Sequence, residues 1–206
     1  MLRYGGSGLL VELGSTAEVA AAYRALSAAR DAGRLGDVRE LVPAARTVYV
    51  SVAAGPAPAA EVRAVLEEPA PSGADATAEA AELVLPVRYD GADLDLVART
   101  AELSVAEVVE LHSSAAYTVA FCGFAPGFGY LVGVPGPLRQ ARLDDSRSQV
   151  PPGSVGLAGE FTGVYPRSSP GGWRLIGRTE EVLFDPAAEH PARLTPGVRV
   201  RFEPVR

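Results

Sequence analysis

The chain has 206 residues, of which 48% are hydrophobic and 21% charged, and its formal net charge is −6. This length suits one large domain or two small ones and excludes a larger multidomain protein. The excess of negative charge argues against a nucleic-acid-binding protein and against a membrane attachment through basic residues, because both need an excess of positive charge.

Missing residue types exclude further chemistries. All 19 basic residues are Arg, and a chain without Lys cannot form a lysine Schiff base, supply a phosphate-loop lysine or carry biotin on a lysine. The single cysteine, Cys122, cannot form a disulfide within the chain, which favours a reducing compartment. No stretch approaches the roughly 18 apolar residues of a membrane span. We therefore expect a soluble, cytoplasmic protein, and the two widely spaced histidines predict no metal site.

The N-terminal part of the chain is predicted to be a mixed unit of strands and helices. Ser15 and Glu18 have the spacing of a capping box, and the apolar residues that follow recur at helical spacing up to a glycine stop at Gly33. The resulting β-α-β-β-α-β order is typical of a ferredoxin-like α+β unit. The predicted strands are 9–13, 38–42, 47–52 and 83–87. The first helix is predicted within TAEVAAAYRALSAARDAGR (16–34) and the second at 59–67.

A change of composition divides the chain. Residues 68–82 are rich in Ala, Pro and acidic residues without an apolar pattern, which indicates an exposed hinge. We therefore predict one domain at 1–82 and a second at 83–206. The second begins with two short helices, at 94–101 and from Ser104 to His112, and continues with short β-type runs separated by Pro and Gly. Such runs favour a compact sandwich or barrel.

Two segments of the second domain interleave glycines with aromatic residues. They are CGFAPGFGYL at 122–131 and VYPRSSPGGW at 164–173. Glycine allows close approach of a ligand and aromatic rings exclude water, so we expect the two segments to form one pocket. Residues 112–178 also carry six Arg against three acidic residues, whereas residues 1–111 carry nine Arg against seventeen. This local positive charge is typical either of a carboxylate or phosphate site or of a solvated strand face.

Two further residues have alternative interpretations. His112 at the end of a helix could interact with the helix dipole or act as a general base. Cys122 could be a nucleophile, but a buried strand cysteine is the more frequent situation.

At these motifs the chain resembles the allophanate hydrolase subunit 1 family, whose members are also known as the B subunits of 5-oxoprolinase or as sporulation kinase A inhibitors. The resemblance covers residues 83–204 and extends through LLVELG and ELVPAARTVYV in the N-terminal half. It is carried by the runs PVRYDG (86–91), LSVAEVVELH (103–112), YTVAFCGFAPGFGYLVG (117–133), VPPGSVGLAGEFTGVYPRSSPGGWRLIGRT (150–179), LFDP (183–186) and PGVRVRFEP (196–204).

The resemblance implies a ferredoxin-like N-terminal domain and a cyclophilin-like β-barrel C-terminal domain. It also implies a heteromeric, ATP-dependent amidohydrolase that opens 5-oxoproline to glutamate with a subunit 2 and a third subunit, with ATP bound largely by those partners. The catalytic residues expected by analogy are His112, Arg147 and Arg178. The expected substrate-binding residues are Phe124, Pro126, Gly127, Tyr130, Ser154, Thr162, Tyr165, Ser169, Gly171, Gly172 and Trp173.

Two alternatives remain open at this point. One is an inhibitor that binds a sensor histidine kinase through the barrel surface. The other is the carboxyltransferase subunit of an allophanate or urea carboxylase system, which would need a separate biotin-bearing partner.

Overall fold

The chain forms two compact units, Met1–Ala78 and Glu79–Arg206. The computed structural model describes residues 1–4, 8–53, 55, 58–68 and 82–206. The predicted hinge near 68–82 lies almost wholly outside the described residues. None of the described helices is long and apolar enough to cross a membrane.

The first unit is a four-stranded antiparallel sheet with two helices. Its strands lie in the order β1-β2-β4-β3, and its own core includes Leu9, Leu26, Val48 and Val50. The predicted cap is present, because the Ser15 side chain accepts a hydrogen bond from the Glu18 N–H at the start of the first helix. The elements are β1 (Leu2–Tyr4), β2 (Gly8–Glu12), α1 (Thr16–Asp31), β3 (Val38–Pro43), β4 (Thr47–Val52) and α2 (Ala59–Glu67).

The second unit is built around a seven-stranded sheet that is nearly closed into a barrel. The strand order is β12-β9-β10-β7-β6-β13-β5, and β8 pairs with β11 in a separate ribbon. Arg88 and Arg178 exchange backbone hydrogen bonds of 2.9 and 2.8 Å, which links the two edges of the large sheet. The elements are β5 (Leu83–Val87), α3 (Leu94–Ala101), α4 (Val105–Ser114), β6 (Tyr117–Cys122), β7 (Gly129–Val132), a 3-10 turn (Gly136–Leu138), β8 (Arg147–Val150), β9 (Ser154–Ala158), β10 (Phe161–Val164), β11 (Ser169–Gly171), β12 (Arg174–Arg178) and β13 (Arg199–Pro204).

This architecture confirms the predicted α+β class with a C-terminal barrel, with one difference in the assignment of a strand. The predicted β-α-β-β-α-β order assigns β5 to the first sheet, whereas the predicted domain boundary assigns it to the second domain. The strand pairs in parallel with β13 in the barrel, with Leu85 opposite Phe202. In the first unit, β1 occupies the edge position next to β2. The apolar pattern of β5 predicts a strand but does not specify which sheet will bury Leu85 and Val87.

Helix α4 brings one predicted site residue into the barrel core. Its capping box is complete, since Ser104 accepts from the Glu107 N–H while the Glu107 carboxylate accepts from the Ser104 N–H at 2.8 Å. The helix packs against β13. As a result, His112 near its C-terminal end is fully buried.

Candidate functional site

The two glycine-aromatic segments meet at one cavity of the barrel unit, as the sequence predicts. The cavity has a volume of about 450 Å³. The first segment contributes Phe124, Phe128 and Tyr130, and the second contributes Tyr165, Gly171 and Trp173. The remaining lining residues are Ala141, Arg142, Ala158, Gly159 and Phe161.

The cavity wall is a cluster of aromatic rings in mostly edge-to-face contact. Phe128 is at its centre, with ring centroids 5.3 Å from those of both Tyr165 and Trp173. Tyr130 packs on Trp173 at 5.5 Å and on Phe161 at 5.6 Å. Phe128 and Tyr165 are fully buried. Contacts of this geometry contribute beyond the area they bury, so they stabilise the wall.

One glycine is required for the rings to fit. A Cβ atom on Gly171 would lie 2.4 Å from the Tyr165 hydroxyl oxygen. Because Tyr165 packs among the other rings of the wall, the ring or strand β11 would have to move to relieve this contact. The Pro-Gly-Gly sequence at this point therefore lets strand β11 approach the aromatic wall.

Phe124 lies at the rim of the cavity in a strained conformation. Its φ angle is +69°, a left-handed value that non-glycine residues rarely adopt, and its side chain is 57% exposed. The ring contacts Phe128 and Tyr165 at centroid distances of 5.3 and 6.1 Å. An exposed aromatic side chain held by a strained backbone is typical of a binding site.

The polar groups of the cavity are two tyrosine hydroxyls and one guanidinium. Burial raises the pKa of Tyr130 and of Tyr165, and the positive charge of Arg142 acts against that rise at both. The backbone of Trp173 also acts on the Tyr165 hydroxyl in the direction that lowers its pKa. The cavity thus combines apolar walls with a cation close to both phenols.

The structure places His112 in the hydrophobic core, outside the cavity lining. Its ring packs against Phe202 at a centroid distance of 4.6 Å. Its Nδ1 lies 2.8 Å from the Tyr89 hydroxyl, and its Nε2 lies 3.0 Å from Oγ1 of Thr162. Burial lowers the pKa of His112 to about 3. The histidine is therefore neutral and fully paired, which is a structural rather than an acid-base arrangement.

The directions of these hydrogen bonds identify the tautomer. Thr162 gives its hydroxyl hydrogen to the carbonyl oxygen of Gly156 at 3.1 Å. It must therefore accept from the N–H at Nε2 of His112, and Nδ1 accepts from the Tyr89 hydroxyl. Thr162, predicted to bind substrate, is fully buried and hydrogen-bonds to His112.

Arg147, Arg178 and Ser154 lie in a second groove rather than at the aromatic cavity. This groove has a volume of about 520 Å³. Arg147 forms an ion pair of 2.7 Å with Asp93, and Arg178 forms one of 2.9 Å with Asp90. The Ser154 hydroxyl donates to the Pro151 carbonyl. The two predicted catalytic arginines therefore do not face the pocket that the sequence predicts for them.

Of the other predicted residues, Phe124, Tyr130, Tyr165, Gly171 and Trp173 come together at the cavity. Four do not line it. Pro126 is exposed, Gly127 packs against Phe184, Ser169 donates to the Arg167 carbonyl, and Gly172 lies beside Ser146.

Phe128, Phe161 and Arg142 are the main lining residues that the sequence prediction missed. Phe128 lies inside the first glycine-aromatic segment, so that segment contained a signal for it. The predicted excess of Arg in residues 112–178 includes Arg142 but does not distinguish it from the other five.

Cys122 does not line the aromatic cavity. The Cys122 thiol donates to the Leu194 carbonyl at 3.2 Å, and burial raises its pKa, so it is held as a thiol. Across the part of the chain that the structure describes, no three His, Cys, Asp or Glu residues are grouped to hold a metal ion.

Comparisons with known proteins identify the same family as the sequence motifs. The family described as carboxyltransferase domain, subdomain C and D, matches residues 1–194. The B subunit of 5-oxoprolinase from Escherichia coli O157:H7 is 53% identical over 123 residues, which cover 58% of this chain and 56% of that protein. The B subunit of 5-oxoprolinase from Bacillus subtilis is 45% identical over 121 residues, covering 57% and 50%. The chain thus spans about half the length of the curated relatives it matches.

Solved structures show the same fold. The protein TTHA0988 superposes with a TM-score of 0.80 at 33% identity, covering 97% of this chain and 40% of that one. A conserved uncharacterized protein from Pyrococcus horikoshii gives 0.60 at 33% identity, covering 98% and 96%. The urea carboxylase of Kluyveromyces lactis shares the fold at 0.73 and 20% identity, covering 97% and 21%. These matches confirm the family that the sequence motifs predict. The chain belongs to the carboxyltransferase domain family, subdomain C and D, together with the B subunits of 5-oxoprolinase.

Proposed function

We propose that this chain is a subunit of a heteromeric, ATP-dependent 5-oxoprolinase that hydrolyses 5-oxoproline to glutamate. One observation carries the proposal: the segments that bear the family motifs form an aromatic cavity, in a chain that is 53% identical to the B subunit of a 5-oxoprolinase over the matched region.

The cavity suits a small lactam. Amide resonance makes a lactam resistant to water, so its hydrolysis needs activation of the carbonyl group and a site that controls the entry of water. ATP would supply the activation. The aromatic rings of this chain would bind the faces of the lactam ring and exclude bulk water, while Arg142 provides a positive charge beside the ligand.

We assign nucleotide binding mainly to the partner subunits. The chain contains no Lys, and its glycine-rich segments lack the spacing of a phosphate-binding loop. The expected partners are a subunit 2 of the same enzyme and a third 5-oxoprolinase subunit.

Reconstitution tests this proposal. The chain would be combined with both partner subunits, and the formation of glutamate from 5-oxoproline and ATP would be measured with and without it. We expect turnover only when the chain is present, and a strong loss with Trp173→Ala. The control Val182→Ala, at a residue that is 66% exposed and outside the cavity lining, should keep full activity. Equal turnover without this chain would refute the proposal.

Carboxyl transfer to urea or a related amide is a second candidate, because the fold is shared with a urea carboxylase. It requires a biotin-bearing partner. Labelled bicarbonate would separate the two candidates, since only the carboxyltransferase would incorporate label into an amide product. Histidine kinase inhibition stays a prediction that binding and autophosphorylation assays can test.

A further inference from the structure

We propose that Arg142, together with the Tyr130 hydroxyl, forms a carboxylate-binding subsite in the aromatic cavity. The identity of the ligand as 5-oxoproline rests on the proposed function. The subsite itself rests on the charges and contacts of the cavity.

Three arginines of the barrel unit differ in how their charges are balanced. Arg147 and Arg178 are each within 3 Å of a carboxylate, Asp93 and Asp90 respectively. Arg142 lines the aromatic cavity, and no carboxylate in the described ranges forms an ion pair with it. A guanidinium has five N–H donors in a planar fork, which matches the two oxygens of a carboxylate. Of these three arginines, only Arg142 combines contact with the cavity and freedom to accept a bound anion.

The tyrosine hydroxyls next to this charge offer a second donor. The positive charge of Arg142 acts on both Tyr130 and Tyr165, so the guanidinium lies near both phenols. The Tyr165 hydroxyl already interacts with the backbone of Trp173. The Tyr130 hydroxyl has no hydrogen-bond partner among the residues that the structure describes, although its ring is fixed by stacking on Phe121 at a centroid distance of 4.3 Å. Tyr130 can therefore donate to the same anion as Arg142.

The cavity wall restricts the chemistry of the ligand. Phe128, Phe161 and Trp173 present ring faces and edges that bind an apolar or planar body. Arg142 is an exposed residue, so it would hold a carboxylate through charge-assisted, two-oxygen hydrogen bonding rather than through a low dielectric constant. The combination selects a small cyclic or branched carboxylic acid. A free phosphate, which has no apolar body, would leave most of the wall unused.

Fluorescence of the single tryptophan tests the subsite directly, because Trp173 lines the cavity. The full chain, and the complex with its partner subunits, would be titrated with 5-oxoproline, with 2-pyrrolidinone and with inorganic phosphate. 2-Pyrrolidinone has the same lactam ring without the carboxylate. We expect saturable binding of 5-oxoproline, with a dissociation constant at least tenfold lower than those for the other two compounds.

Variants test whether Arg142 and Tyr130 are the residues that bind the carboxylate. Arg142→Gln should raise the dissociation constant for 5-oxoproline at least tenfold, Arg142→Lys should raise it less, and Tyr130→Phe should raise it severalfold while keeping the ring. Affinity for 2-pyrrolidinone should not change. Arg167→Gln is the matched control, because Arg167 is an exposed arginine in the second segment that does not line the cavity. Thermal unfolding of each variant would verify that it is folded.

The outcomes separate this inference from the proposed function. The inference is overturned if 5-oxoproline does not bind to chain or complex, if phosphate binds better, or if Arg142→Gln binds as well as the wild type. If binding depends on Arg142 but the complex does not hydrolyse 5-oxoproline, the subsite stands and the proposed function fails. If turnover requires the chain but is unaffected by Arg142→Gln, the function stands and the subsite fails.

Discussion

His112 stabilises the barrel in its neutral form, and this gives a pH dependence with a definite sign. Burial lowers its pKa to about 3 in the folded chain, whereas the unfolded chain takes up a proton near pH 6.5. Between these two values the unfolded state binds more protons, so the free energy of unfolding falls as the pH falls. The loss begins near pH 6.5 and continues toward pH 3.

A variant isolates this effect. We expect the free energy of unfolding of the wild type to drop by about 2 kcal/mol between pH 7 and pH 5 because of His112. His112→Gln should be less stable at pH 7 and should lack this part of the pH dependence. Urea unfolding of both proteins at the two pH values measures the difference. Identical pH dependence in the two would show that His112 is not buried in its neutral form.

Gly171 tests the packing of the aromatic wall. In Gly171→Ala the new methyl group would approach the Tyr165 hydroxyl to 2.4 Å, so the ring or strand β11 must move, at a cost of roughly 1–3 kcal/mol. Denaturant unfolding followed by Trp173 emission would detect both the loss of stability and the changed environment. Gly136→Ala is the control, since a Cβ atom there meets no other atom within 4 Å. Equal stability of the two variants would contradict the packing argument.

At the residue scale, the sequence predicts the aromatic residues of the cavity better than the roles of the arginines. Aromatic rings next to glycines pack closely and exclude water, and five of the predicted residues line the cavity. The role of an arginine depends on which carboxylate the fold brings to it. Asp93 lies far from Arg147 along the chain, so their ion pair is not predictable from spacing. For the same reason, the sequence alone does not distinguish Arg142 from the paired arginines.

At the scale of the elements, helix α4 shows how a capping motif in the sequence places a side chain in the core. Its capping box fixes the start of the helix, and its C-terminal turn carries His112 against β13. Loss of the cap should therefore weaken the barrel core as well as the helix end.

Removing the cap measures this link. Ser104→Ala should lower the free energy of unfolding by about 1 kcal/mol, because the Glu107 N–H loses its acceptor. Ser114→Ala, at an exposed position in the last turn of the same helix, is the control. Chemical denaturation of both variants gives the comparison, and a Ser104→Ala protein as stable as the control would show that the box does not contribute.

The sequence predicts whether a segment forms a helix or a strand where a local motif is present, but it does not predict which strands pair. The caps at Ser15 and Ser104 identify where α1 and α4 begin. The apolar run of β5 identifies a strand, but its partner β13 lies at the other end of the second unit, and only the packed fold decides which sheet it joins. Pairing over such a distance has no local signature.

For the whole molecule, the order of the barrel strands makes the C-terminal segment indispensable. Strand β13 lies between β5 and β6, so it joins the first strand of the unit to the rest of the sheet. Its Phe202 and Val200 are fully buried in the larger core cluster, which also contains Leu85 and Val119. Without β13, β5 would lose its only partner among the described strands of the sheet and β6 would keep only β7. The side chains that β13 covers would also be exposed.

The predicted division of the chain into domains can be tested on this basis. Each unit has its own core clusters, those of the barrel unit being centred on residues such as Leu85, Val155 and Phe128. We expect a fragment of residues 79–206 to fold independently, with near-ultraviolet circular dichroism and Trp173 emission like those of the full chain. A fragment of residues 79–198, which lacks β13, should lose both signals, because the sheet is opened where β5 and β6 meet their shared neighbour. If the longer fragment were unfolded, the barrel would depend on the N-terminal unit. If the shorter fragment kept its native signals, the parallel pairing of β5 with β13 would not be what holds the barrel together.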